Sequence, residues 1–263
     1  MKVVDTNACE FGYELIMVLP YVYYLNKNNI PVKVLTSKGM REFYYFLSSE
    51  QYEEKYDVRT DKHPLNTRLK TIHFPTLDTT EWEFPNYTNR YKDVKLDVGN
   101  EKPLLIISNK FTREWFNDPV NFLDVNTLDI LLSKLKERYT VIYNRPLPTM
   151  IVEDSQTSYK LGDYELIKEK HPEVLDMNNI AIQNQIPFNI LQLILGSKCK
   201  KFISVQGGNS ILASIFGGTN LIYAVKGGEL QNNSFSWYNK FSGANIKHFT
   251  TYRDLIQHTL KVY

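Results

Sequence analysis

Cysteine is scarce in this chain: Cys9 and Cys199 are the two in 263 residues, and neither stands in a Cys-x-x-Cys pair. That spacing excludes a cysteine-rich zinc site and a disulfide framework. A single Cys9–Cys199 bridge stays open beside the plainer reading, two reduced thiols. Charge of one sign is lacking too. The 31 basic and 29 acidic side chains leave a formal net charge of +2, which gives no field for non-specific binding to nucleic acid or a membrane. No apolar run approaches the ~18 residues of a membrane span. The start, Met1-Lys2-Val3-Val4-Asp5, has no apolar signal-peptide core, so the expectation is a cytoplasmic protein without a transmembrane segment. His63, His73, His171, His248 and His258 have no metal-ligand spacing, and neither a His-Glu-x-x-His nor a Gly-x-Ser-x-Gly pattern occurs.

What is present is an alternation of short apolar strands with helical periods. Lys2–Asp5 reads as a strand, followed by a polar turn. Leu15, Val18, Leu19, Val22 and Leu25 then recur at helical spacing. Pro20 inside that run predicts a kink or a late helix start. Pro31–Thr36 reads as a second strand, and Ser37 as the cap of a helix over Lys38–Leu47. Lys70–Phe74 is a further candidate strand, in a stretch rich in Pro, Asn and Thr that closes near Gly99-Asn100.

A clearer series follows. Strands are expected at Leu104–Ser108, Thr140–Tyr143, Ile180–Ile182, Lys201–Val205 and Leu221–Val225. Helices are expected at Thr127–Arg138, Asp163–Lys170, Asn189–Leu195, Ser210–Phe216 and Arg253–Leu260. Strand–helix alternation of this kind predicts parallel sheets, hence an α/β chain of two Rossmann-like units.

The most informative segment is Val205-Gln206-Gly207-Gly208-Asn209-Ser210, where a buried strand turns at once into a helix. Gly207 and Gly208 permit positive φ and close approach of a ligand. The helix start favours an anion, and Asn209 or Ser210 can cap it or reach a phosphate oxygen. A plain tight turn would use the same residues. The loop is neither a Walker loop, since no Lys follows the glycines, nor a Gly-x-Gly-x-x-Gly. Arg145, just after a strand, can grip a phosphate or a carboxylate as a bidentate fork, or pair with Asp163 or Glu165.

With the small residues Ala213 and Ser214 and the Gly217-Gly218 stop, this strand–loop–helix resembles the C-terminal half of GT-B glycosyltransferases, in particular the heptosyltransferase-like and fucosyltransferase-like branches. In them such a loop receives the donor diphosphate. Gly12-Tyr13-Glu14-Leu15-Ile16-Met17-Val18-Leu19-Pro20 resembles the Gly-Asp-x-Leu-x-x-Leu-Pro segment of the heptosyltransferase-like enzymes, whose Asp is the catalytic base. Counting back from Pro20 puts Glu14 at that acidic position, with Tyr13 replacing the neighbouring glycine; Glu10 is the reserve carboxylate. Ser108-Asn109-Lys110, with Arg113, Glu114 and Trp115 downstream, falls where the family places polar and basic donor-phosphate contacts.

The resemblance implies two Rossmann-like domains facing across a cleft, 1–100 on the acceptor side and 101–263 on the donor side, with the C-terminal helix packing back on the first. It implies transfer of a sugar from a nucleotide diphosphate-sugar to a glycan acceptor, inverting and with a carboxylate base. No Asp-x-Asp occurs anywhere in the chain, so no metal cofactor is expected. Binding would then fall to Gly12, Asn109, Lys110, Arg113, Arg145 and Gln206–Ser210. The alternatives are a nucleotide-sugar epimerase or pyruvyl transferase on the same fold, and a non-catalytic sugar- or nucleotide-binding subunit.

Overall fold

The structure is a computed structural model and describes residues 1–7, 9–59, 83–99, 102–114, 118–151 and 159–263. It divides into two compact units, Met1–Asn86 with Pro148–Gln156 and Tyr87–Leu147 with Thr157–Tyr263. The join expected at residues 100/101 lies outside the described residues, as does the strand expected at Lys70–Phe74.

In the first unit β1 (Lys2–Asp5), β2 (Val32–Ser37) and β3 (Tyr52–Tyr56) form a parallel sheet in the order β1-β2-β3. β1 and β2 are joined by α1 (Phe11–Tyr13), a π-helical turn over Glu14–Val18, and α2 (Leu19–Lys27). Leu15, Val18, Leu19, Val22 and Leu25 are all buried, as their spacing predicts. Pro20 acts where it was expected to. It sits in the first turn of α2, and just before it the Leu19 N–H reaches back five residues to the Glu14 carbonyl. A proline cannot supply the ordinary helical bond, so the widened turn is where the run changes pitch.

The helix expected over Lys38–Leu47 is reduced to a 3-10 turn, Arg41–Tyr44, and Ser37 ends β2 instead of capping it. β3 went unanticipated because Tyr-Glu-Glu-Lys-Tyr is an exposed charged edge, without the apolar alternation that marks a half-buried strand.

The second unit opens with α3 (Tyr87–Tyr91) and β4 (Leu104–Ser108), then α4 (Val125–Leu135), β5 (Thr140–Asn144), α5 (Asp163–Lys170), β6 (Leu175–Asp176), α6 (Met177–Asn184), α7 (Phe188–Lys198) and β7 (Lys201–Val205). It continues through α8 (Gly208–Ile215), β8 (Thr219–Tyr223), α9 (Gly228–Gln231), α10 (Phe235–Ser242), β9 (Asn245–Phe249) and α11 (Tyr252–Val262). Its six strands are all parallel, in the order β6-β5-β4-β7-β8-β9. Counted within this sheet that is 3-2-1-4-5-6, the doubly wound nucleotide-binding order, which reverses between β4 and β7.

One expectation is corrected here. Ile180–Ile182 is not a strand but the middle of α6, where Met177, Ile180 and Ala181 are buried at helical spacing while Ile182 is exposed. The terminal helix belongs to the second unit. α11 packs on α4, β8 and β9 of its own unit, and the Tyr263 hydroxyl lies 2.9 Å from the carbonyl oxygens of both Phe202 and Thr219. Leu255 and Tyr263 thereby join the core that Leu105, Ile107, Ile203 and Leu221 build on one face of the sheet. Gly218 ends the α8 connection at φ +74°, with the Lys200 carbonyl oxygen 2.5 Å from where a Cβ would stand, so backbone meets backbone and only glycine fits.

Candidate functional site

In a sheet of this order ligands bind beyond the carboxyl ends of the strands at the reversal. That edge carries Asn109-Lys110 after β4 and Gln206-Gly207 after β7, strands that pair directly up to Ser108 and Ser204. Gly207 has φ +126° and ψ −165°, a region open essentially to glycine alone. An added Cβ would sit 3.2 Å from Lys110 Nζ, so the ammonium lies directly over this glycine. α8 begins at the next residue; the Ser210 and Ile211 N–H groups meet the Gly207 carbonyl over 3.0 and 3.3 Å, and those of Gly208 and Asn209 stand ahead of the first helical bond. The expected cap by Asn209 or Ser210 is absent. Gly207 is the N-cap, and the Ser210 hydroxyl donates to its carbonyl over 2.8 Å. Gln206 is buried: its Nε2 donates over 2.8 Å to Glu229, while its Oε1 has no partner among the described residues.

The remaining second-unit candidates part company. Asn109 is fully buried and wholly spent on the fold, with its amide nitrogen on the Leu123 carbonyl and Tyr143 hydroxyl and its oxygen on the Lys110 and Leu123 N–H groups. Lys110 Nζ lies 3.1 Å from Glu114, and Arg113 is exposed. Arg145 forks onto Asp163 over 2.5 and 2.7 Å, the ion-pair reading of the two that its position allowed. Its plane lies over the Tyr164 ring. Asp163 also accepts the Tyr143 hydroxyl, whose pKa burial and that carboxylate raise well above its ordinary value.

Sequence reasoning named Glu114 beside Lys110 but missed Asn121. Glu114 holds both Lys110 and Asn121, whose side-chain oxygen accepts the Val225 and Lys226 N–H groups of the loop after β8. Nothing local in Asn121 announces this, because its partners lie about a hundred residues away in the chain. Asn144 was legible in principle: it continues the face of Ile142 at the carboxyl end of a buried strand, where a polar residue has no packing reason to be.

In the first unit Glu14 is fully buried. One carboxylate oxygen accepts from Thr36 (2.6 Å) and Tyr44 (2.9 Å), and the other meets buried Arg59 at 2.5 Å. Beside it burial, then the Glu14 charge, pushes the Cys9 thiol up to about 12. Glu10 is exposed at the N-cap position of α1, and Gly12 lies within that helix, half-buried. Among the described residues no group of three His, Cys, Asp or Glu side chains could hold a metal, and no helix is long and apolar enough to cross a membrane.

No protein-family model matches the chain, and no curated protein matches it by sequence. Among solved structures it is similar to the wall teichoic acid polymerase TagF, with a TM-score of 0.35 and 11% identity over 91% of this chain and 51% of that one. It is also similar to the glycosyl transferase family 9 protein from Veillonella parvula DSM 2008, with a TM-score of 0.40 and 9% identity over 93% of this chain and 70% of that one. The chain therefore spans about half the length of the TagF structure. Likeness at this level decides no chemistry, which has to be argued from the residues above.

Proposed function

We propose that the second unit binds the diphosphate of a nucleotide sugar at the Gln206–Ser210 loop, and that the protein is a metal-independent glycosyltransferase. The observation that carries this reading is the 3-2-1-4-5-6 strand order, whose reversal point holds a glycine-only turn, a helix start and Lys110 together. Lys110 exchanges Glu114 for a phosphate oxygen, and with the Gly208 and Asn209 N–H groups at the start of α8 it takes up the charge that develops on the leaving diphosphate. An acceptor hydroxyl loses its proton to a carboxylate, its oxygen bonds to the anomeric carbon, and the bond from that carbon to the diphosphate oxygen breaks. A general base must come within ~2.6–3.2 Å of the proton it takes. The oxygens of Glu14 are already filled and sealed from solvent, so Glu10, which is exposed, is assigned that role.

A thermal-shift panel of UDP, GDP, dTDP and their sugars, run in chelator, tests the reading. At least one should raise the melting temperature, and Gly207→Ala should abolish the shift, because the strained turn costs about 1–3 kcal/mol and the new methyl pushes Lys110 aside. A flat panel would sink it. The sealing of Glu14 favours one second reading, a nucleotide-sugar-binding module without turnover. Glu10→Gln that keeps affinity and loses acceptor-dependent release of nucleoside diphosphate identifies the transferase; no release from the unaltered protein identifies the module.

A further inference from the structure

Beside the glycine loop, on the sheet face covered by α6, α7 and α8, a narrow cavity opens among Ser108, Asn144, Gln192 and Asn209, over Phe202 and Phe216. Ser108 and Asn144 end the neighbouring strands β4 and β5, and Asn209 lies in the first turn of α8, so the cavity adjoins the proposed phosphate site. Among the described residues no charged side chain lines it. Asn144 is 4% exposed, and among the described residues its Oδ1 has no partner. Its Nδ2 is spent on Ser108 Oγ (3.3 Å) and Gln192 Oε1 (3.2 Å). Gln192 is oriented in turn by its Nε2 on Asn189, 3.2 Å away. Turning the Asn144 amide over would set two oxygens against each other, so the unfilled atom is the acceptor.

We infer that this cavity is a subsite for one neutral hydroxyl of the ligand, donating to Asn144 Oδ1 and accepting from Ser108 Oγ. The inference rests on the nucleotide-sugar reading and names what flanks its phosphates. An anion is refused, because it would meet a bare carbonyl oxygen, whereas a hydroxyl both donates and accepts. The space between the walls suits about one water-sized group, which a single hydroxyl satisfies and a ring does not. Ribose and the donor sugar both carry such hydroxyls.

Calorimetric titration of Asn144→Ala and the gentler Ser108→Ala with pyrophosphate, UDP, GDP and their glucose conjugates tests the inference. Loss of one such hydrogen bond should weaken the hydroxyl-bearing ligands about 5–10-fold and leave pyrophosphate unchanged. Equal loss for diphosphates and conjugates assigns a ribose hydroxyl; loss confined to the conjugates assigns the sugar. If both folded variants bind every ligand like the parent, the cavity holds an ordered water only and the inference falls. It falls also if pyrophosphate weakens in parallel. A parent protein that binds no nucleotide fails the nucleotide-sugar reading itself, a different result from parent-like variants.

Discussion

Each unit buries a polar cluster, and the two differ in whether that cluster is complete. In the first unit Glu14 meets Thr36, Tyr44 and Arg59, so both carboxylate oxygens are filled and no solvent reaches them. At the carboxyl edge of the second unit's sheet, Asn144 and Gln206 each bury an oxygen that has no partner among the described residues. An unfilled buried acceptor costs about 1–3 kcal/mol, and a fold tolerates that where something else completes the bond. A complete cluster works for the fold; an incomplete one at a strand-order reversal works for a ligand.

The strongest way to break this comparison is Glu14→Gln. The amide oxygen still accepts from Thr36 and Tyr44, but Arg59 is left buried opposite a neutral group. Stranding one member of a buried ion pair costs about 3–5 kcal/mol, so the urea midpoint should fall sharply. A variant as stable as the parent that has lost turnover would overturn the contrast and return Glu14 to the chemistry.

This contrast also marks how far the sequence could be read. The apolar strands Lys2–Asp5, Leu104–Ser108 and Lys201–Val205 and the glycine turn at Gly207 declare themselves locally, through alternation, β-branching and the demand for positive φ. The sheet order that gives the loop its meaning depends on which strands pair across long separations. So do the partners of Glu14, since Arg59 lies 45 residues from it in sequence. A carboxylate near a helix start looks the same in sequence whether solvent or an arginine faces it. Charged β3 and the neutral Gln192 left no periodic mark for the same reason: their roles lie in what surrounds them.

A moderate effect sharpens the comparison at the level of whole units. Cys9 reports on the first and Cys199 on the second; both are buried free thiols pushed up to about 12 chiefly by burial. Iodoacetamide at about pH 8 should label neither in the native protein, since labelling needs the thiolate. In rising urea Cys9 should label first, because the described residues of its unit form three short strands against six in the other. Labelling of both thiols over one transition would show instead that the units open together.

The smallest expected effect comes from an ion pair that the fold leaves partly in solvent. Asp129 on α4 lies 3.0 Å from Lys170 and 2.7 Å from His171, which ends α5. Its pKa is held below the ordinary 3.8, first by the Lys170 hydrogen bond and then by that of His171. A carboxylate with a depressed folded-state pKa adds stability that is present above 3.8 and is lost as the pH falls through the depressed value. Asp129→Asn should therefore melt slightly below the parent at about pH 6, and the gap should close toward about pH 2. Being screened, the gap should be far smaller than that of Glu14→Gln and should shrink with added salt. A gap that persists at the acid end would mean that Asp129 contributes through packing, not charge, and the ranking of buried over exposed pairs would then lose its electrostatic basis.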